Sequence, residues 1–212
     1  MISLVIFDLD DTLYPEKAYF SAAFDRFEQC YGYQSGCLNQ AFGRIDRKLS
    51  RDILKDTLLK ADIYSQQNHD KLFECYRSVD VKLELPLETL HVLERLKRSG
   101  CSVALLTNGV VVVQQNKVNC LGIERWCDAV FYARNNALGI EKPDPRCFTQ
   151  VLNHFGVPAE EAIMIGDSAE NDYFGAKRAG LKALLLGGEG VGSIQTLSQA
   201  LPHILDTHDE KN

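Results

Sequence analysis

Short, unbroken apolar runs alternate along most of this chain with stretches whose apolar residues recur at helical spacing. The runs are SLVIFD from Ser3 to Asp8, SVALLTNG from Ser102 to Gly109, DAVFYA near 128 to 133, AIMIGD from Ala162 to Asp167, and KALLLG from Lys182 to Gly187. Each is bounded by small or polar residues, the pattern of a strand buried on both faces. Between them, TLHVLERLKRSG places Leu90, Leu93 and Leu96 on one helical face and stops at Gly100. PRCFTQVLNHFG has Pro145 where a first helical turn tolerates it and Gly156 at its exit, and NDYFGAKRAG predicts a further helix from Asn171 to Gly180. Strand, helix, strand, helix predicts an α/β fold with a doubly wound, Rossmann-like parallel sheet.

Residues 15 to 82 break this alternation. AYFSAAFDRFEQCY, LNQAFGRIDRKL, RDILKDTLLKA and HDKLFECYRSV all carry amphipathic helical spacing, with no convincing strand among them. The expected organisation is therefore an α/β core made of 1–14 and 83–212, interrupted by an all-helical domain at 15–82. After Gly192, SIQTLSQALPHIL predicts one more helix, followed by a polar tail expected to fray. The VVVV run at 110 to 113 fits either core or a helix start. The chain carries no internal repeat and no low-complexity segment.

Composition narrows the class. The chain has 212 residues, 45% of them hydrophobic and 25% charged, enough to build a core without disulfides or a structural metal. Its formal net charge is −6 and its sequence pI about 5.4, with no lysine- or arginine-rich run. A nucleic-acid surface needs a basic field, so no nucleic-acid partner is expected; a local positive pocket for one phosphate stays compatible. The 7 cysteines form no CxxC pair, which predicts free thiols in a reducing compartment. The start, MISLVIFDLDD, lacks the basic and longer apolar regions of a signal peptide, and no run is long enough to span a bilayer. A cytoplasmic protein without a membrane partner is the expectation; the sequence sets no oligomeric state.

The chemistry is expected where parallel α/β sheets place ligands, at the carboxyl ends of their strands. The first strand ends in Asp8-Leu9-Asp10-Asp11-Thr12, the second in Thr107-Asn108-Gly109, and the fourth in Gly166-Asp167-Ser168, with Asp172 beyond it. Lys142 lies in a loop just before Pro143 and Asp144 at a helix start. Each has an ordinary reading by itself: Asp167 as a helix cap, Thr107 as a turn hydroxyl, Lys142 as a solvated lysine. Together they bring carboxylates, a hydroxyl and a lysine to one sheet edge. That set suits a hard cation such as magnesium and a phosphoryl group held by the lysine and the N–H groups of the Thr107–Gly109 turn.

These segments resemble the haloacid dehalogenase (HAD) superfamily. DLDDTLY at 8 to 14 is similar to its first motif, DxDx[TV]; LLTNG at 105 to 109 to its second; EKPDP at 141 to 145 to its lysine-bearing third; and GDSAEND at 166 to 172 to its acidic fourth. QQNKVNCLGI at 114 to 123 and GAKRAG at 175 to 180 resemble its linking helices. The likeness covers roughly 1 to 14 and 83 to 188, and the helical insert sits where the family carries its helical cap.

The resemblance implies a role for each matching residue. Asp8 would attack phosphorus and form an aspartyl-phosphate. Asp10 would protonate the leaving oxygen and then activate the hydrolytic water. Thr107 and Asn108 would bind the phosphoryl group, with Lys142 balancing its charge. Asp8, the backbone carbonyl of Asp10, and Asp167 would hold Mg2+, supported by Asp172. Asp11 occupies a variable motif position. The implied activity is a phosphatase acting on a small-molecule phosphomonoester, a nucleotide or a sugar phosphate. Asp10 argues against the dehalogenases and phosphonatases of the superfamily, whose motif resembles this one but lacks a carboxylate there. A phosphomutase on the same core and a non-catalytic binding module remain alternatives. Tyr14, Glu16, Lys17, Tyr19 and Phe20 stand near the hinge into the insert, where packing in the cap core and hinge is the simplest reading of each.

Overall fold

The computed structural model describes residues 1–47, 49–135 and 139–205. They form two compact units: Met1–Pro15 together with the chain from Glu84 onward, and Glu16–Leu83.

The first unit is an α/β fold. Its 6-stranded sheet comprises β1 (Leu4–Phe7), β2 (Ser102–Thr107), β3 (Ala129–Tyr132), β4 (Ala162–Gly166), β5 (Lys182–Leu186) and β6 (Ser193–Ile194), in the order β3-β2-β1-β4-β5-β6. Every pairing is parallel. Leu4 pairs with Ser102 on one side and with Ala162 on the other, so β1 is central, and all its residues are buried. From β1 the chain winds outward to β3, then returns across β1 to β4. That reversal is the topological switch point, outside whose strand ends ligands bind in such sheets.

Helices supply the apolar cover. Between β1 and β2 runs α5 (Leu87–Ser99), closed by Gly100 at φ 77. Between β2 and β3 lies α6 (Val111–Leu121), so the valine run is a helix start: Val113 is buried while Val110 and Val112 are exposed. Helix α7 (Pro145–Phe155) is capped by Asp144, which accepts the Arg146 N–H, and buries Phe148, Val151 and Leu152 against Leu4, Ile6 and Met164. The predicted 171–180 helix is not one regular helix. A π-helical turn (Ala169–Phe174) leads into the short α8 (Gly175–Arg178), and Ser168 caps it by accepting the Asn171 N–H.

The region after Gly192 differs from the single helix its spacing predicts. Ser193 and Ile194 pair with Leu185 and Leu186 as an edge strand. Gln199 then turns back, its Oε1 accepting the Gln195 N–H at 2.7 Å, and starts a short helical turn that leads into α9 (Leu201–Ile204). Local spacing could not reveal a two-residue strand whose stability comes from a neighbour already in place. The polar tail expected beyond Leu205 lies outside the described residues.

The second unit holds α1 (Lys17–Tyr31), α2 (Cys37–Phe42), α3 (Ile53–Lys60) and α4 (Gln66–Arg77), with no strand among its described residues. Phe20, Phe24, Phe27, Leu38, Phe42, Leu54, Leu58 and Leu72 form its core. The helical spacing that runs on to Leu49 stops at Phe42, because Arg44 and Ile45 fold back onto the carbonyls of Ala41 and Phe42 in tight turns after Gly43.

Candidate active site

Asp8 leaves the sheet at the switch point. Its N–H extends the β1–β4 ladder to the Ile165 carbonyl at 3.0 Å, which fixes the side chain's origin to two strands at once. Beyond it the chain turns through Asp11 at φ 53, a left-handed conformation that aspartate tolerates. The turn brings the Tyr14 hydroxyl back to donate to Asp10 Oδ1 at 2.8 Å.

Lys142 enters from the loop before α7 and is 2% exposed. Its ammonium donates to Asp8 Oδ1 at 2.7 Å and to Asp172 Oδ1 at 2.6 Å. The solvated-lysine alternative is therefore excluded by burial. Asn108 holds the same loop: its Nδ2 donates to the Lys142 carbonyl at 2.8 Å, and its Oδ1 accepts the Lys142 N–H at 3.0 Å. The Asn108 side chain thus anchors the loop that carries the lysine.

Asp172 arrives through the π-helical turn, whose extra residue per turn re-aims a side chain that a regular helix would carry elsewhere. Its Oδ2 accepts the Ser168 N–H at 3.0 Å. Asp8, Asp167 and Asp172 offer carboxylate oxygens that all lie within 4.8 Å of one another. This all-oxygen set, without histidine or cysteine, suits a hard divalent cation. The Asp10 carboxylate is turned elsewhere. Both its oxygens accept from Lys117 Nζ at 2.8 Å, and Oδ2 also accepts from Gln114 Nε2 at 2.8 Å. Gln114 Nε2 also donates to the buried Thr107 hydroxyl at 2.6 Å. An open cavity of about 750 Å³ reaches Asn108, Gly109 and Lys142.

Burial first, and crowding of like charges after it, shape the electrostatics. Burial raises Asp8 to about 8 against the pull of Lys142, helped by repulsion from Asp172 and Asp10. Asp167, at the exposed rim, is raised to about 6, by loss of water around its carboxylate first and then by Asp172 and Asp11. Burial would lower Lys142, but Asp8 and Asp172 outweigh it and push the ammonium up. A cation among these oxygens would relieve the repulsion that adds to burial in raising Asp8 and Asp167.

Gln114 and Lys117 were not singled out by sequence reasoning, which took their segment as a linking helix. A signal was present: on α6 they occupy the buried face shared with Val113, Val118 and Leu121, positions that helical spacing reserves for apolar residues.

A parallel sheet ordered 3-2-1-4-5-6, with an acidic cluster and a buried lysine at its switch point, defines a doubly wound, Rossmann-like α/β core, and a family model described as haloacid dehalogenase-like hydrolase matches residues 2–180. The chain belongs to that family. A glyceraldehyde 3-phosphate phosphatase of Methanothermobacter thermautotrophicus is 27% identical over 212 aligned positions, covering 89% of this chain and 87% of that protein. A phosphoserine phosphatase of Thermus thermophilus is 41% identical over 92 residues, which are 43% of this chain and 36% of that one. In fold, a HAD-hydrolase of Bacillus subtilis bound to magnesium superposes with a TM-score of 0.72 at 19% identity, over 97% of this chain and 99% of that one. Among the described residues, no helix is long and apolar enough to cross a membrane.

Proposed function

We propose that this chain is a magnesium-dependent phosphatase that hydrolyses a small-molecule phosphomonoester through an aspartyl-phosphate on Asp8. The observation that carries the reading is the arrangement around Asp8: a buried lysine on one of its oxygens, two further carboxylates within 4.8 Å, and a separate carboxylate, Asp10, held apart by its own donors. A magnesium ion held by Asp8, Asp167 and Asp172, with the Asp10 carbonyl, would offset the negative charge that otherwise keeps a phosphate ester away from a carboxylate.

The residues then divide the work. An Asp8 oxygen attacks phosphorus, the bond to the ester oxygen breaks, and Asp10 delivers a proton to that oxygen as it leaves. Water next attacks the phosphorus of the aspartyl-phosphate, Asp10 takes its proton, and the bond to Asp8 breaks to release inorganic phosphate. Lys142 steadies Asp8 and balances the charge spread over the transferring group. The Thr107 hydroxyl and the backbone N–H groups of the Thr107–Gly109 turn bind its oxygens.

Relatives named for phosphoserine and glyceraldehyde 3-phosphate support a small phosphorylated metabolite as substrate. The all-helical unit Glu16–Leu83 is assigned to selecting the leaving group. The described cysteines are free thiols, which fits the cytoplasm. Rapid-quench labelling with a phosphorus-labelled nitrophenyl phosphate tests the nucleophile: wild type should yield a phosphoenzyme and Asp8→Asn none. Labelling of Asp8→Asn at the wild-type level would overturn the mechanism. A phosphomonoester screen then ranks substrates.

A further inference from the structure

Asp10 is held by more than the turn that carries it. Lys117 Nζ donates to both its oxygens, and Gln114 Nε2 bridges Asp10 Oδ2 and Thr107 Oγ1. Both donors project from α6, three residues apart on its buried face. Lys117 is 1% exposed. Burying an ammonium is costly unless it is paired and hydrogen-bonded, and here a carboxylate 107 positions away in the chain meets it.

The turn after β2 makes this possible. Gly109 has φ +125, and a Cβ there would stand 3.2 Å from Gln114 Cδ and 3.3 Å from its Cγ. The glycine lets the glutamine side chain lie flat against the turn and reach between Thr107 and Asp10. No reaction step described above uses Lys117 or Gln114, and neither is among the Asp8, Asp167 and Asp172 cluster.

We propose that Lys117 and Gln114 are positioning residues of the acid–base step. They aim the Asp10 carboxylate at the leaving oxygen, and Gln114 ties that carboxylate to the hydroxyl that grips the phosphoryl group. Acid and phosphoryl site are thereby held in one register by one face of α6. The inference rests on the aspartyl-phosphate reading and assigns to it two residues that act through Asp10 and Thr107.

The test is a double-mutant cycle read with two leaving groups. Lys117→Met is made alone and with Asp10→Asn, and phosphoenzyme formation is timed by rapid quench with glycerol phosphate and with nitrophenyl phosphate. Because general acid help is worth on the order of 100-fold or more, Lys117→Met should slow transfer from glycerol phosphate by about 100-fold and from nitrophenyl phosphate by less than about 10-fold. In the Asp10→Asn background the same change should cost less than about 2-fold, since a residue acting through Asp10 has nothing left to position. The double variant removes both members of the buried pair, so it strands no charge. If Lys117→Met alone does not fold, Gln114→Met and Gln114→Met with Asp10→Asn run the same cycle. Equal slowing in both backgrounds, or equal slowing with both esters, would overturn the positioning role. Failure of the underlying mechanism is distinguishable: Asp10→Asn would then show no leaving-group dependence of its own.

Discussion

The Asp172 carboxylate packs directly against the Cα of Gly166, where an added Cβ would fall 2.2 Å from Asp172 Oδ2 and 2.3 Å from its Cγ. Gly166 is the last residue of β4, buried and paired with Leu185, so its backbone has no room to retreat. Asp172 in turn holds Lys142. A single methyl group at 166 therefore reaches the lysine beside Asp8 through one intermediate carboxylate. Gly166→Ala should destabilise the fold by about 1–3 kcal/mol, as overpacking does, and should weaken cation binding by displacing Asp172. Thermal unfolding and cation titration measure the two effects; an unchanged cation affinity would show that Asp172 is dispensable to the cluster.

Lys142→Met keeps the length and apolar stem but leaves Asp8 and Asp172 facing each other without the ammonium between them. Breaking a buried pair by removing one partner typically costs about 3–5 kcal/mol. Urea unfolding of the cation-free protein should show a loss of that order. Saturating magnesium should recover part of it, since it substitutes for the missing charge. A loss that is the same with and without magnesium would mean that the lysine and the cation do not share Asp8.

The raised carboxyls predict a pH-dependent cation affinity. Asp8 lies at about 8 and Asp167 at about 6, and a carboxyl group must lose its proton to serve as a ligand. Binding should therefore tighten as pH rises from about 6 to about 8 and should release protons, read by calorimetry in buffers of different ionisation enthalpy. The same shift sets a stability trend in the cation-free protein. Between its ordinary value of 3.8 and about 8, folded Asp8 keeps a proton that the unfolded chain has lost. Its contribution to stability thus falls as pH rises through that window. A pH-independent cation affinity would contradict both expectations.

Asp10→Asn keeps the nucleophile and removes the proton carrier. Turnover should fall by on the order of 100- to 10,000-fold. An activated nitrophenyl ester should ease the first step but not hydrolysis of the intermediate, so phosphoenzyme should accumulate. Steady-state labelling after quench, compared with wild type, reads this directly. Labelling at or below the wild-type level would remove Asp10 from the second step.

In the helical unit, buried Glu28 accepts the N–H groups of Gly36 at 2.6 Å and Leu38 at 2.7 Å and so closes the start of α2. Glu28→Ala strands those donors, at about 1–3 kcal/mol for a buried unsatisfied group. Hydrogen exchange should quicken across α2 while β1 and β4 keep their protection. Uniform quickening over the whole chain would indicate that the two units unfold together.

Much of this was readable in the chain itself. The runs at Ser3–Asp8, Ser102–Gly109 and Ala162–Asp167 are strands β1, β2 and β4, because a strand buried on both faces must be apolar throughout. Gly100 and Gly156 end their helices where left-handed φ is needed. Asp8, Thr107 and Asp167 stand at strand ends because the turn residues after each apolar run mark those ends. Family membership followed from the same segments.

Other features depend on what lies across the fold. Local spacing describes one element's exposed and buried sides, so it cannot name a partner. Asp8 and Lys142 are 134 residues apart, and only the return of the chain across β1 makes them neighbours. Asn108 fits a phosphate-binding turn by sequence, and only the folded chain shows that its side chain also ties down the loop of Lys142. Gln114 and Lys117 share the apolar face of α6 with Val113, Val118 and Leu121, but only the seating of that helix brings them to Asp10. The sequence by itself determined five of the six strands, most helix ends and the kinds of chemistry present, since these follow from burial pattern and turn residues within a few positions. Which charge meets which was decided by tertiary structure. Pairing in a buried site is set by strand order and helix rotation, and a carboxylate there settles on whichever donor those bring within hydrogen-bond reach.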